Sequence, residues 1–288
     1  MRTNLLFRSL ITTVLLLASS AFAQQGDDWD AVELRVEHVA GSIHMLIGRG
    51  GNIGLSIGDD GVIMIDDQFA PLSARIAETI RGVTDEEIRF LINTHVHGDH
   101  VGGNENFANM GVLIFANDKV RMRMVGNVAH AALPVVTFSD TTTLHLNDEE
   151  VHAFHVPPAH TDGDSFIYFR GSDVLHLGDV FRTNNFPYID ISSGGTLQGT
   201  LDALAMAIGM AGPNTAVVPG HGNVSKREDI VEFRDMILVV MDRVAELVND
   251  DASFADVLAA GTTAEYEAKW GDPERFLSGL YQELGGQL

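Results

Sequence analysis

Beyond its N-terminal segment the chain alternates apolar and polar positions at period two, as strands with one buried face do. Val32 to Val39, Ser42 to Ile47, Ile53 to Ile57 and Val62 to Ile65 are predicted as successive strands. Gly48 to Gly51 and Asp59-Asp60-Gly61 punctuate them as turns. The period then changes. Leu72, Ile76 and Ile80 recur every four residues, which predicts a helix over Pro71 to Ile80. Arg89 to Ile92 is a short apolar strand running directly into Asn93-Thr94-His95.

The second half repeats this style. Val151 to Val156, Phe166 to Phe169 and Val174 to Leu177 are predicted strands, and Thr196 to Met210 a helix. Ala216 to Val218 is a strand leading into Pro219-Gly220-His221. Ser225-Lys226-Arg227-Glu228 has the form of a capping box that opens a helix. Ile230, Phe233, Ile237, Val240, Val244 and Leu247 follow at helical spacing, a stripe made for core packing. Two groups of strands, each followed by helices, predict an α/β fold of two sheets sandwiched between helices.

The extreme N-terminus carries a different signal. Arg2 and Arg8 precede an apolar run from Ile11 to Ala18, and Ala21-Phe22-Ala23 has the small-x-small form of a cleavage site. The expectation is a signal peptide over residues 1–23, removed on export to the periplasm to leave Gln24 first. The apolar run is short for a hydrocarbon core of roughly 30 Å, so no stable membrane span is expected after cleavage. Residues 24–288 contain no low-complexity linker and are expected to form a single domain. The chain has no cysteine, which excludes disulfides and thiolate metal ligands. Forty acidic residues against 18 basic ones give a net charge of −22. That balance speaks against nucleic acid, whose phosphates need a basic surface. It favours solubility, and part of it can neutralise bound cations. The expected partner is a small-molecule substrate; no feature specifies an oligomeric state.

The densest chemistry lies in Thr94-His95-Val96-His97-Gly98-Asp99-His100. His95 and His97 stand two apart at a strand end, where period two puts both imidazoles on one side. Gly98 lets the backbone turn, and Asp99 and His100 follow on the bend. Imidazoles and carboxylates in such density suit zinc and other borderline divalent metals. One cluster cannot complete two metal sites. His160, Asp179 and His221 each lie past the end of an apolar strand beside glycine, and they are the candidates for the rest. The other seven histidines, His38, His44, His130, His145, His152, His155 and His176, are expected at the surface or hydrogen-bonded in the core.

The run His-x-His-x-Asp-His, then a later His, an Asp and a Gly-His, resembles the metallo-β-lactamase superfamily. The resemblance implies an αββα sandwich with two divalent metal ions, zinc first among candidates, at one edge of the sheets. It implies that His95, His97 and His160 bind one metal and that Asp99, His100 and His221 bind the other. Asp179 would bridge the two or bind the second. Asp66 matches a family aspartate that supports the site by orienting ligands. Many β-lactam-hydrolysing members carry Cys where this chain has Asp179. In those members a basic residue three positions on binds the substrate carboxylate, a role Arg182 could fill as a bidentate partner. An Asp there resembles the glyoxalase II, phosphodiesterase and sulfur dioxygenase branches, although the extended glutathione-binding segment of glyoxalase II is missing. The loop Asn184 to Tyr188 could line the pocket.

Two neighbouring cations acidify a shared water, and the hydroxide so formed would attack a carbonyl carbon with Asp99 orienting it. The expected activity is therefore hydrolysis of a cyclic amide or ester, with a β-lactam as the lead substrate. Thioester, lactone or phosphodiester hydrolysis would use the same two-metal site. A mononuclear iron sulfur dioxygenase, which shares part of the ligand set, is the rival from another class.

Overall fold

The computed structural model describes residues 28–287; the predicted signal peptide and its cleavage site lie outside the described residues. Each predicted strand forms, its ends displaced by up to three residues. Strands β1 (Arg35–Ala40), β2 (Ile43–Ile47), β3 (Ile53–Gly58) and β4 (Gly61–Ile65) make an antiparallel meander. Helix α1 (Ser73–Arg81) crosses over, after a short 3-10 turn that contains Pro71, and returns the chain as β5 (Ile88–Ile92), parallel to β4. Short helices α2 (Gly98–Val101) and α3 (Asn104–Asn109) lead to β6 (Leu113–Asn117). Helix α4 (Asp118–Met124) then leads to β7 (Val136–Phe138), and both added strands are again parallel. The first sheet has the order β1-β2-β3-β4-β5-β6-β7.

The second sheet holds β8 (Thr141–Leu146), β9 (Glu149–His155), β10 (Ser165–Phe169) and β11 (Val174–His176) as antiparallel neighbours. Helix α5 (Leu197–Met210) carries the chain to β12 (Ala216–Val218), parallel to β11 at the edge. Helices α6 (Arg227–Asn249), α7 (Phe254–Ala259), α8 (Glu267–Trp270) and α9 (Glu274–Glu283) complete the described chain.

Side-chain alternation makes the layers. In β4, Ile63 and Ile65 face the second sheet and pack with Ile167 and Phe169, while Val62 and Met64 face α1 and pack with Ile76 and Ile80. In β10, Phe166 turns the other way, toward Leu204 of α5 and Phe233 of α6. The result is helices, sheet, sheet, helices, the expected αββα sandwich. Its central strands are buried on both faces and so read as nearly continuous apolar runs. The α6 stripe is buried as expected, except that Leu247 is only partly covered.

The capping box is displaced by one residue. Lys226 is the N-cap, and its backbone N–H donates to Asp229 Oδ2 at 3.0 Å, so Asp229 takes the place assigned to Glu228. The Lys226 ammonium has no lone pair to return the bond, so only half of the motif is present.

Strand direction places the chemistry. β4 and β5 are parallel, and β9, β11 and β12 share one direction in the other sheet. Their carboxyl ends meet at one end of the sandwich. Backbone bonds stitch the sheets there: Ser165 N–H to Thr94 O at 2.9 Å, and Asn52 N–H to Gly220 O at 2.7 Å. The Asn52 side chain adds bonds to Pro219 O and Gly222 O, both 2.9 Å.

Phe233 anchors the outer helical layer against Phe181, edge to face with ring centroids 5.4 Å apart. Phe233→Ala is expected to cost about 3–5 kcal/mol by leaving a cavity. Val239→Ala, on the exposed side of α6, should stay within about 0.5 kcal/mol. Urea unfolding midpoints of the two variants check the difference.

Candidate metal centre

The site is built from loops that leave five strand ends. Asp66 follows β4, His95 to His100 follow β5, and His160 follows β9. Asp179 sits in a 3-10 turn after β11, and His221 lies beyond β12. All seven predicted ligands come together. His95, His97 and His160 form one group whose ligand atoms lie within 4.8 Å of one another; Asp99, His100 and His221 form a second. His95, His100 and Asp179 form a third group that joins them. His95, His100, His160 and Asp179 are buried, while His97, Asp99 and His221 are half-buried and face the opening.

The histidines reach the site differently from the period-two expectation. β5 ends at Ile92, so His95 and His97 project from a loop rather than from one face of a strand. Their rings stand nearly perpendicular, with centroids 4.9 Å apart. His97 turns Nδ1 inward, because its Nε2 is bound to Asp190 Oδ2 at 2.8 Å.

Hydrogen bonds dictate which ring nitrogen keeps a lone pair. His160 Nδ1 lies 2.6 Å from Tyr188 O, which can only accept, so Nδ1 carries the proton and Nε2 faces the site. Asp66 accepts from Thr94 N–H, from the Thr94 hydroxyl and from His100 Nδ1, each at 2.7 Å. The single Thr94 hydroxyl proton is thereby committed. His95 Nδ1, 3.0 Å from that hydroxyl, must donate to it and leave Nε2 to the site.

These assignments leave an electrostatic imbalance that fits a cation. His160 Nε2 and His97 Nδ1 lie 2.8 Å apart, with the proton of each ring engaged elsewhere. His95 Nε2, His100 Nε2 and Asp179 Oδ1 are buried without a hydrogen-bond partner among the described residues. Buried polar atoms of this kind call for an explanation, and a bound ion is one. Asp179 Oδ1 is 3.2 Å from His100 Nε2 and 3.3 Å from His221 Nε2, and Oδ2 is 3.6 Å from His160 Nε2. The donor set, five imidazoles and two carboxylates with no sulfur, suits borderline divalent metals.

Proton affinities follow the same layout. Burial drives His95 well below the usual histidine range, and it lowers His160 to about 3. Burial also opposes charge on His100, but the Asp179 and Asp66 carboxylates outweigh it and raise that ring well above the usual range. Burial opposes the charge on Asp99; its bond to His221 and the field of His100 prevail and lower it to about 2. Asp179 is held well below the usual carboxylate range, because Arg182 and His100 overcome its burial.

Close backbone approach explains two of the glycines. A Cβ on Gly220 would overlap the Asp179 carboxylate, and one on Gly51 would overlap the His100 ring. Asp66 itself sits at φ 63°, a left-handed conformation that Asp tolerates better than most residues.

Arg182 is at the site, where its guanidinium donates to Asp179 Oδ2. It lines a hollow of about 420 Å³ together with His97, Asp99, Tyr188, His221 and Arg275. Asn185 and Tyr188 of the expected loop reach this hollow, whereas Phe186 and Pro187 are buried. A second hollow, of about 640 Å³, shares His97 and Gly98 and is floored by Val96, Val101 and Met124. Sequence reasoning missed Asp190, Tyr188 as a main-chain acceptor, and Arg275. Only the position of Asp190 next to the Asn184–Tyr188 loop could have drawn attention to it. His176 is buried between Gly178 N–H and Asn52 O, a hydrogen-bonded core histidine as expected. His38, His130 and His145 are exposed, and His44, His152 and His155 are half-buried.

Comparison with known proteins agrees with this geometry. The model of the metallo-beta-lactamase superfamily matches residues 46–221, a span that holds every predicted ligand. A hydroxyacylglutathione hydrolase of Gloeobacter violaceus is 30% identical over 132 residues, covering 42% of this chain and 49% of that protein. Another, of Pelagibacter ubique, is 24% identical over 140 residues, covering 46% and 52%. The chain spans about half the length of the curated relatives it matches. A metallo-beta-lactamase from Pontibacter korlensis has a similar structure, with TM-score 0.61 and 16% identity over 72% of this chain and 99% of that one. The DIM-1 metallo-beta-lactamase gives 0.62 at 17%, over 72% and 98%. At such identities the likeness is one of fold. With the family model covering most of the chain and the fold in agreement, this protein belongs to the metallo-β-lactamase superfamily of hydrolases.

Proposed function

We propose that this protein is a two-metal hydrolase that opens a carbonyl C–N, C–O or C–S bond, with zinc as the leading metal. The observation that carries the reading is that His95, His100 and Asp179 offer ligand atoms within 4.8 Å of one another, while His95 Nε2, His100 Nε2 and Asp179 Oδ1 are buried without a hydrogen-bond partner among the described residues. His95, His97 and His160 would hold one cation, Asp99, His100 and His221 the other, with Asp179 between them. Divalent cations held by these residues would supply an acidified water and Lewis-acid polarisation of a carbonyl.

The side chains would do the rest. Asp99 is an ionised carboxylate at the half-open side of the cluster, suited to accept a hydrogen bond from the attacking water and hold it in line. Arg182 keeps Asp179 ionised. Asp66, Asp190 and the Tyr188 carbonyl keep His100, His97 and His160 turned inward. The second hollow, floored by apolar residues and rimmed by Glu105, Arg123 and Asn127, has room for a substituent on the acyl side of the substrate.

We rank an ester or thioester ahead of a β-lactam. The β-lactam expectation drew on the motif, the export signal and Arg182 as a carboxylate clamp, and the last of these already donates to Asp179. Asp at 179 and the thioester hydrolases among the curated relatives support the other choice. We also propose export to the periplasm, on the leader-like residues 1–23; mass spectrometry of protein recovered from a bacterial periplasm should give Gln24 as its first residue.

Elemental analysis is expected to give two divalent metals per chain, and EDTA should abolish turnover of a thioester such as S-lactoylglutathione. Turnover of nitrocefin in its place would restore the β-lactam order. One iron per chain, with oxygen consumed in the presence of a persulfide, would overturn the hydrolase. Asp179→Ala should retain one metal and lose the second, while two tightly held metals in that variant would refute its place between them. Asp66→Asn removes no ligand and should still weaken metal binding by about 10–100-fold, measured by competition with a chromogenic chelator.

A further inference from the structure

We propose that Arg275 is the residue that selects the substrate, by pairing with a carboxylate on the molecule whose carbonyl lies at the His/Asp cluster. The proposal rests on the hydrolase reading and adds a substrate class to it: anionic acyl compounds.

Arg275 opens α9, outside the segment that carries the family match. The helix is fixed from below. Phe276, Leu277 and Leu280 are buried, and Phe276 lies nearly parallel to Phe186 with centroids 5.7 Å apart. Residue 275 is thereby held beside the loop that carries Tyr188. Its guanidinium carbon lies over the Tyr188 ring, 3.2 Å from the centroid. That ring is tied to the cluster in two ways: the Tyr188 carbonyl accepts from His160, and the ring lies 25° from parallel to His97 at 5.9 Å. The arginine is thus mounted on the same support as two of the predicted ligands, and it lines the same hollow.

Its charge is available. Arg275 is exposed and makes no ion pair or hydrogen bond with a described residue, although the chain carries 40 acidic residues. Stacking uses the face of the guanidinium and leaves its N–H edge open. That edge matches a carboxylate bidentately. Arg182 is instead engaged with Asp179 through Nη2, and its side chain is only 13% exposed. The two arginines therefore divide the work: Arg182 neutralises a ligand, and Arg275 faces the incoming molecule.

The test uses the zinc-loaded full chain and two thiols of nearly equal size, 3-mercaptopropionate and its methyl ester, with affinities read by calorimetry. Wild type should bind the acid about ten-fold or more tightly than the ester, the range expected of a charge-assisted bidentate pair. Arg275→Ala should remove that preference and leave the affinity for the ester unchanged, which also shows that the variant is folded. Arg275→Lys should keep only part of it, because an ammonium pairs as a point charge. Undiminished preference in Arg275→Ala, or none in wild type, overturns the proposal. Metal analysis of the same samples separates the two readings. A wild type that holds no metal overturns the hydrolase and this proposal with it. A wild type with two metals and no preference overturns only the role of Arg275.

Discussion

The Asp66 carboxylate is the constraint on which the site depends. It is fully buried, and burying a carboxylate is costly unless hydrogen bonds replace its water. Three short bonds do so here, from Thr94 N–H, the Thr94 hydroxyl and His100 Nδ1. They also offset a backbone at φ 63°, a conformation that costs about 1–3 kcal/mol for a residue other than glycine. The return is control of two rings by one group. Asp66 binds His100 directly and, by taking the only Thr94 hydroxyl proton, forces His95 Nδ1 to donate. Both rings then present Nε2 to the same point.

Such a cluster is unbalanced by construction. Lone pairs and carboxylate oxygens converge in a place that water barely reaches. Among the described residues, Arg182 brings positive charge to the far oxygen of Asp179, and the Asp66 and Asp179 carboxylates raise the proton affinity of His100. A divalent cation would supply more charge at shorter range, and its binding would release any protons held by the ligands, as metal sites generally do. Rigidity keeps the cluster from collapsing into internal hydrogen bonds. The loops start from strand ends that are locked across the sheets by Asn52 and Ser165, and Gly220 and Gly51 allow approaches that any side chain would block.

Much of this was legible in the sequence because it is local or periodic. The alternation predicts Val62 to Ile65 as a strand with one buried face; the strand forms, but both faces are covered, Ile63 and Ile65 by the second sheet and Val62 and Met64 by α1. The His95 to His100 run packs four ligands into one turn, and glycine beside Asp179 and His221 marked the other strand ends. The illegible parts depend on distance along the chain. His97 and Asp190 are 93 residues apart, and no spacing rule links them. β7 is too short for a periodic signal, and β8 carries three threonines at the sheet edge, where half of a strand faces solvent. The period-two argument for His95 and His97 reached the right site through the wrong geometry, because tertiary bonds, not the pleat, aim the two rings.

Asp179 connects the metal chemistry to the specificity. A thiolate offers one ligating atom, whereas a carboxylate offers two oxygens that can face in different directions. Oδ1 looks toward His100 and His221, and Oδ2 is left with a charge that must be answered, which Arg182 does. Arg182 is thereby drawn into the site. With Arg182 so engaged, the proposed pairing with a substrate carboxylate falls to another cation. The hollow offers Arg275, carried by a helix outside the matched region and mounted on the ring whose backbone orients His160. On this proposal substrate recognition depends on the C-terminal helices as well as on the His/Asp motif, because the group that answers Asp179 is not the group that faces the incoming molecule.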